Sequence, residues 1–299
     1  MAKRLSKRPL HSGSLDLRPA PPPPLLVATK LMVSFHDLPS AALAFLLVAF
    51  TIAISLFGLL LSAAWLRKAN IHRNLDNGPI SALLSASIGV YAIAAGLTAV
   101  AVWDNLVDAS TNVGREAAAI TVLFHSLDGY PETLQMQGKQ MMEAYTRHII
   151  DNEWPLHKRG DVPRGTPGLL ESAQQAFFVF EPATEGQKIV HAEIMQAFNR
   201  IIEHRRLRLQ TVQDTALPAE LWIVVTLLGG IAIASCFLLR VDSLRMHALI
   251  TSLVAAPTAL LLFFIAVTDR PFQGGVHVSS KPFQTVLEEI IVPDLARRK

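Results

Sequence analysis

Four long windows of this sequence contain no Asp, Glu, Lys or Arg, and they constrain the fold more than any other feature. A helix needs about 20 apolar residues to cross the roughly 30 Å hydrocarbon core of a bilayer. The windows are Leu38–Leu66, Asn77–Trp103, Leu221–Leu239 and Met246–Thr268. They exclude an ordinary soluble enzyme, a disordered chain and a secreted disulfide scaffold. They predict an all-α polytopic membrane protein with four transmembrane helices and a helical cytoplasmic insert between the second and third spans.

These windows divide the 299-residue chain into five predicted segments. The boundaries are 1–37 for a disordered basic and proline-rich arm, 38–103 for transmembrane helices 1 and 2, 104–217 for the helical insert, 218–268 for transmembrane helices 3 and 4, and 269–299 for a C-terminal tail. Proline-rich sequence favours an extended backbone and cannot build a core. The sequence leaves open whether translation starts at Met1 or at Met32.

Charge distribution predicts the orientation in the membrane. Four spans place both termini and the insert on one side, and six Lys or Arg precede the first span. Basic residues next to a span favour the cytoplasm, so both termini and the insert are expected there. The formal net charge of +3 is too small to indicate nucleic-acid binding.

The second window begins a helix that is expected to run unbroken from about residue 80 to 127. No proline lies between Pro79 and Pro131, and proline is the residue that most strongly interrupts a helix. Small and polar residues recur along it every three or four positions. The candidate pore-lining residues on this stripe are Ser87, Tyr91, Ala94, Thr98, Asn105 and Asp108. Such a stripe either packs against another helix or lines a water-filled path, and the sequence leaves both open.

Charged residues gather near the predicted cytoplasmic boundary. The candidates for a cytoplasmic vestibule are Arg115, Glu116, Arg205, Arg206 and Arg208. A basic vestibule would concentrate anions. The alternative is that the basic side chains anchor at the interface and pair with nearby acids. Because acids and bases are mixed here, the sequence does not define the ion selectivity.

A further set of residues is predicted to have structural roles or to mark the membrane boundaries. They are Trp103, Trp154, Pro155, Trp222, Asp269, Arg270, Pro271, Phe272 and Gly274. Asp269 and Arg270 follow the fourth span directly, so each is expected to have a partner. The single cysteine, Cys236, cannot form an internal disulfide and is expected to be a small buried hydrophobe.

Sequence signatures of catalysis and cofactor binding are absent. There is no phosphate-binding loop, dinucleotide fingerprint, nucleophile elbow, HExxH zinc motif or paired CxxC. No ionisable Asp, Glu, Lys or Arg falls inside a predicted span to perform acid–base chemistry. The sequence therefore predicts no enzyme, no cofactor and no metal site.

Several short motifs resemble a known family, the bacterial bestrophin-like membrane proteins of unknown function. The resemblance covers about residues 40–290. Its motifs are Val102-Trp103, Val113-x-Arg115-Glu116-Ala117, Glu153-Trp154-Pro155, Asn199 with Arg205-Arg206-x-Arg208-Leu209, Leu217-Pro218 with Leu221-Trp222, Asp269-Arg270-Pro271-Phe272-x-Gly274 and Pro282-Phe283. The resemblance implies kinship with bestrophins, which are pentameric chloride channels with a pore lined by the second span. The bestrophin calcium clasp and aromatic pore neck are not recognisable, so calcium gating and chloride selectivity are not carried over.

The leading hypothesis is an oligomeric, anion-conducting channel of a bacterial inner membrane, with the second helix lining the pore. By analogy with the family it would be a pentamer, in contact with the lipid bilayer and inorganic anions and with no nucleic acid. The alternative is a non-conducting membrane scaffold or sensor whose insert binds a partner.

Overall fold

A computed structural model of the chain describes residues 40–68, 76–163 and 168–298. Within these ranges the chain is helical and contains no strand. The predicted arm at 1–37 and the alternative start at Met32 lie outside the described residues.

Four of the described helices are long and apolar enough to cross a membrane, as predicted. They are α1 (Ser40–Lys68), α2 (Asn77–Ser126), α7 (Ala219–Cys236) and α8 (Leu244–Thr268). Each contains one of the four charge-free windows or most of it. Cys236, the last residue of α7, is buried and forms no disulfide, as expected for the only cysteine of the sequence.

One continuous helix, α2, carries the chain from the membrane region far into the insert. Asp76 begins it by accepting a hydrogen bond from the Gly78 backbone N–H at 3.0 Å, and Pro79 occupies the first turn. With 50 residues at about 1.5 Å each, α2 is about 75 Å long. Only its first half is apolar throughout, so the second half extends beyond the hydrocarbon. This confirms the unbroken helix predicted for residues 80–127.

The membrane helices pack through small residues, as is usual where lipid removes the hydrophobic driving force. Helix α1 packs on α8, and α2 packs on both α7 and α8. At Gly229 in α7, a Cβ atom would lie 3.0 Å from the Thr258 side chain and 3.1 Å from the Tyr91 ring. The missing side chain therefore allows α2, α7 and α8 to approach closely.

The insert and the C-terminal segment supply the remaining helices. These are α3 (Glu132–His148), α4 (Trp154–His157), α5 (Gly168–Val179), α6 (Glu185–Gln213), α9 (Lys281–Thr285) and α10 (Val292–Arg297), with π-helical turns at Ile149–Glu153 and Val286–Ile291. Helix α6 begins with a capping box, in which Thr184 and Gln187 satisfy each other's backbone N–H groups.

These helices surround the second half of α2 and share one hydrophobic core. Phe124 of α2, Tyr145 of α3, Phe177 of α5 and Phe198 of α6 are fully buried in it. The C-terminal segment, predicted as a separate tail, contributes Phe272, Phe283, Ile291 and Leu295 to the same core. The sequence showed a boundary at the end of the fourth span, but the apolar side chains beyond it find their burial inside the insert.

Candidate functional site

The membrane half of α2 presents two different faces, and the predicted pore-lining residues are divided between them. Tyr91 and Thr98 are buried against the other helices of the same subunit. The Tyr91 hydroxyl donates to the Thr258 backbone oxygen at 3.0 Å, and the Thr98 hydroxyl donates to the Ala94 backbone oxygen. Their hydroxyls are thus satisfied inside the helix bundle. The burial of these two residues within the subunit favours the alternative of helix–helix packing over pore lining.

The other candidates on this stripe are more accessible. Ser87, Ala94 and Asn105 are half-buried, and Asp108 is exposed. Ser87 still belongs to the packed side of α2, because its hydroxyl oxygen lies 3.4 Å from the Ser235 hydroxyl of α7. Only the part of the stripe nearest the insert therefore faces away from the subunit.

The face of α2 that no other helix of the subunit covers is apolar in the membrane region. Ile93 and Leu97 are 67% and 69% exposed, and Val90 and Val100 are more than half exposed. The same face continues beyond the apolar window with exposed polar residues, namely Asp104, Asp108, Thr111 and Arg115. Sequence reasoning missed the aliphatic part because a Leu or Val inside a hydrophobic window looks the same whether it faces lipid, protein or a pore.

Small residues also mark this uncovered face. Gly89 and Gly96, seven residues apart, both face open space. By contrast, the uncovered residues of α1 are bulky, with Phe45, Phe50 and Phe57 all strongly exposed. Bulky side chains suit contact with lipid chains, whereas small residues let a second helix approach. The two exposed surfaces of the membrane region therefore differ in what they can contact.

The five predicted vestibule residues do not form one surface. Arg115 and Arg206 are exposed, whereas Glu116, Arg205 and Arg208 are buried inside the insert. A vestibule role for the three buried residues is wrong, because their side chains are enclosed by the subunit's own helices and held by ion pairs. These three residues pair with acids or bases, as in the alternative prediction, but their ion pairs lie in the core of the insert and not at the membrane interface.

A buried network joins these residues to side chains from three other segments. Arg208 of α6 binds Glu116 of α2 through two nitrogens at 2.7 and 3.0 Å, and it donates to Glu153 at 2.9 Å. Arg205 donates to the other Glu153 oxygen at 2.7 Å. Glu153 ends a π-helical turn, a geometry that often appears at functional sites. Two carboxylates and two guanidinium groups thus balance in charge within the core.

Two uncharged groups complete the network. The Tyr145 hydroxyl donates to Glu116 at 3.1 Å, and Arg208 donates to Nε2 of His157. Because Nε2 accepts this bond, the neutral His157 ring carries its proton on Nδ1. Trp154 encloses the network with its ring 5.7 Å from those of His157, Phe272 and Phe283.

The ionisation of the network follows from its burial and its charges. Burial and the neighbouring Arg208 cation lower the pKa of His157 to about 3, so the ring is neutral at physiological pH. Burial disfavours the charged form of Glu153, but Arg208 and Arg205 outweigh that effect and lower its pKa. Burial, with the nearby Glu116 carboxylate, raises the pKa of Tyr145 well above its ordinary value.

The predicted partners of Asp269 and Arg270 are present where α8 ends. The Asp269 carboxylate accepts the Leu217 backbone N–H at 2.8 Å, and its backbone oxygen accepts the Ala216 N–H at 3.1 Å. Both bonds tie the end of α8 to the elbow between α6 and α7. The Arg270 guanidinium donates to Gln273 at 3.4 Å. This cluster therefore connects the insert with the membrane helices.

The remaining residues predicted to mark the membrane boundaries lie in several parts of the structure. Pro271 and Phe272 are buried after the end of α8, and the Pro271 carbonyl accepts the Val278 N–H at 2.8 Å. Gly274 has a φ of 77°, a backbone conformation that favours glycine. Elsewhere, Trp103 stacks on Phe264, Trp222 is half-buried in the membrane bundle, and Pro155 lies in the first turn of α4.

A second ion cluster holds the C-terminal helix, and no sequence pattern had indicated it. Lys139 of α3 is fully buried and lies 2.6 Å from Asp128 and 2.8 Å from Asp294. Its ammonium group also lies 4.5 Å from the centre of the Phe124 ring. Arg298 bridges the same two carboxylates. Asp294 lies 155 residues beyond Lys139, so no local pattern could have paired them.

This architecture resembles one known family and several solved structures. A family model described as Bestrophin-like domain matches residues 49–283. A bestrophin homologue from Klebsiella pneumoniae, solved by Zn-SAD phasing, matches with a TM-score of 0.63 at 14% identity, covering 82% of this chain and 97% of that chain. A point variant of the Klebsiella pneumoniae homologue matches with a TM-score of 0.63 at 13% identity, covering 82% and 98%. No curated protein matches the chain.

Proposed function

The chain belongs to the bestrophin-like family, and from this premise we propose that it is an oligomeric, anion-conducting channel with α2 lining the pore. The observation that carries the proposal is the uncovered face of α2. It runs along one rigid helix, aliphatic from Val90 to Val100 and then polar from Asp104 to Arg115. A ring of such helices would form an apolar constriction that opens into a charged funnel.

The small residues of α2 support contact between subunits. Gly89 and Gly96 lie to one side of Ile93 and Leu97, so a neighbouring α2 could approach them while the aliphatic side chains face the central axis. Apolar constrictions are a known way to control ion passage, because they lose water readily.

Exposed apolar side chains of the insert support oligomerisation as well. Phe178 and Val179 at the end of α5, and Ile189 near the start of α6, are more than 60% exposed although they lie outside the membrane helices. A soluble surface seldom exposes such neighbours without a partner. We propose a homo-oligomer, a pentamer by analogy with the family.

The test is ion flux through the purified protein in liposomes, with chloride and potassium measured separately and with empty liposomes as the background. Leu97→Trp should reduce chloride flux at least about tenfold, because a Trp side chain at this position would block the proposed apolar constriction. Leu60→Trp, on the exposed face of α1 that suits contact with lipid, is the matched control and should retain flux. Equal flux from both variants would contradict pore lining by this face.

Absence of flux from a folded, uniformly oligomeric sample would favour the second candidate, a non-conducting scaffold or sensor. The observation behind that candidate is the same exposed group of Phe178, Val179 and Ile189, which a cytoplasmic partner could cover instead of another subunit. A dimer or larger oligomer that keeps this group accessible to chemical labelling would support it.

We also propose an inner-membrane location in a bacterium, with both termini and the insert in the cytoplasm. Cys236 is buried, so a single added cysteine can report orientation against a small background. Arg297→Cys should resist a membrane-impermeant thiol reagent in intact cells and react after permeabilisation. Reaction in intact cells would indicate the opposite orientation.

A further inference from the structure

A groove of about 650 Å³ lies on the insert between α5 and α6, outside the proposed pore. Its polar walls consist of two arginines, three glutamines and one acid, and aliphatic side chains complete it. The polar residues are Arg205, Arg206, Gln174, Gln210, Gln213 and Glu171. The volume of the groove lies in the range of small-molecule sites, and its polar side chains on facing helices can orient a small polar molecule.

Arg205 provides the observation that indicates a ligand. Its side chain is more than nine-tenths buried and borders the groove, and one terminal nitrogen donates to Glu153. Among the described residues, its Nε–H donor has no acceptor. Buried donors are nearly always satisfied, so an orphaned guanidinium N–H beside a groove requires an acceptor, which a bound ligand would supply.

Arg206 adds a second cation on the same groove. It is exposed, and it forms no ion pair with any residue in the described part of the chain. A guanidinium group presents several N–H donors in a fixed planar fork that matches a carboxylate. Two such groups on consecutive residues, one of them with an unused donor, favour an oxyanion as the group recognised.

The charge balance of the groove favours a carboxylate over a dianion such as phosphate. Arg205 already shares its charge with Glu153, and Glu171 contributes a negative charge on the facing helix. The excess positive charge is therefore small. The three glutamines offer amide donors and acceptors, which suit a second polar group on the same molecule.

We propose that this groove binds a small organic carboxylate that carries a second hydrogen-bonding group. Arg206 and the free edge of Arg205 hold the carboxylate, and the glutamines hold the other end. The groove lies outside the proposed pore, so ligand binding there does not require ion conduction. Its occupation would nevertheless be transmitted inward, because Arg205 shares Glu153 with Arg208, which binds Glu116 on α2.

The experiment uses the full-length protein in detergent, with succinate and L-glutamine as probes. Binding is measured by calorimetry and by the midpoint of thermal unfolding, at constant ionic strength maintained with sodium chloride. At least one probe should bind saturably. Arg206→Gln should weaken that binding at least about tenfold, because a charge-assisted bidentate contact is lost. Arg159→Gln, at an exposed arginine of the insert that does not line the groove, should leave it unchanged.

Glu171→Gln should change the affinities for the two probes in opposite directions. Removing this negative charge should strengthen the binding of succinate, which has two carboxylates, and weaken the binding of glutamine, which has an ammonium group for Glu171 to hold. All three variants must elute as the same oligomer as the unmodified protein before binding is compared. Three results would overturn the proposal: no saturable binding of either probe, equal affinity in Arg206→Gln, or tighter binding of phosphate or sulfate than of both probes.

Discussion

Arg208 and Glu116 form a bidentate ion pair inside the core of the insert, 92 residues apart in sequence, with both side chains fully buried. This pair joins α6 to the continuation of the proposed pore helix. The same guanidinium group also holds Glu153, so three segments meet at one side chain. The arrangement of α2 within the insert therefore depends on a charge balance in a region that water does not reach.

Removing one member of this network should destabilise the insert strongly. Arg208→Met leaves Glu116 buried without its cation, and breaking a buried pair in this way costs about 3–5 kcal/mol. The free energy of unfolding can be followed by tryptophan fluorescence, because one of the four tryptophans, Trp154, lies with its ring 5.9 Å from the guanidinium. Arg206→Met, which changes an exposed neighbour, should cost less than about 0.5 kcal/mol. Similar losses in both variants would show that the pair contributes little.

The low pKa of His157 predicts that acid destabilises the protein. The folded-state pKa, about 3, lies below the unfolded value of about 6.5, so the unfolded chain binds the proton more readily. The contribution is fully present above pH 6.5 and is lost as the pH falls toward 3, at up to about 1.4 kcal/mol per pH unit. The lowered pKa of Glu153 adds to the loss in the lower part of this range.

The measurement is the unfolding free energy between pH 7.5 and 5. His157→Gln should flatten its dependence on pH, whereas His125→Gln, at an exposed position on α2, should not. An unchanged slope in His157→Gln would mean that the ring is already able to accept a proton in the folded protein.

Adjacent glycines in α7 provide a test of packing in the membrane region. Gly229 faces Tyr91 and Thr258 closely, whereas Gly230 has no neighbour within 4 Å. Gly229→Leu should force α2 and α8 away from α7 and lower the midpoint of thermal unfolding in detergent, because overpacking costs about 1–3 kcal/mol. Gly230→Leu should leave the midpoint nearly unchanged within one subunit. If Gly230→Leu is the more harmful change, the exposed side of α7 is an interface between subunits.

Lys139 is expected to hold the C-terminal helix on the insert. Lys139→Met removes the buried cation between Asp128 and Asp294 and leaves only the more exposed Arg298 to bridge the two carboxylates. The loss should be about 1–3 kcal/mol, and α10 should become the first site of limited proteolysis. Lys188→Met, which removes an exposed ion pair at the start of α6, is the control and should not change the cleavage pattern. Equal resistance of α10 in both variants would argue that its apolar contacts alone hold it.

The sequence predicted the membrane helices well because the free energy of crossing a bilayer is a sum over the residues of one segment. The absence of charge in four windows, and of proline between Pro79 and Pro131, sufficed to predict four spans and the unbroken α2. The partners expected for Asp269 and Arg270 were also present, since an ionisable group at a membrane boundary cannot remain unsatisfied.

What the sequence could not determine is which side chains meet. Tyr91 and Thr98 have the composition of a polar stripe whether they face water or another helix, and only the positions of α7 and α8 decided that they are buried. Likewise, positions 206 and 208 carry the same type of residue but lie about 200° apart around α6. Arg206 is therefore exposed to water, whereas Arg208 is enclosed beside Glu116. Hydrophobicity and helix formation are local properties of the chain, and the sequence by itself determined them. Ion pairs and covered faces arise from contacts between segments far apart in sequence, so only the tertiary structure decided them.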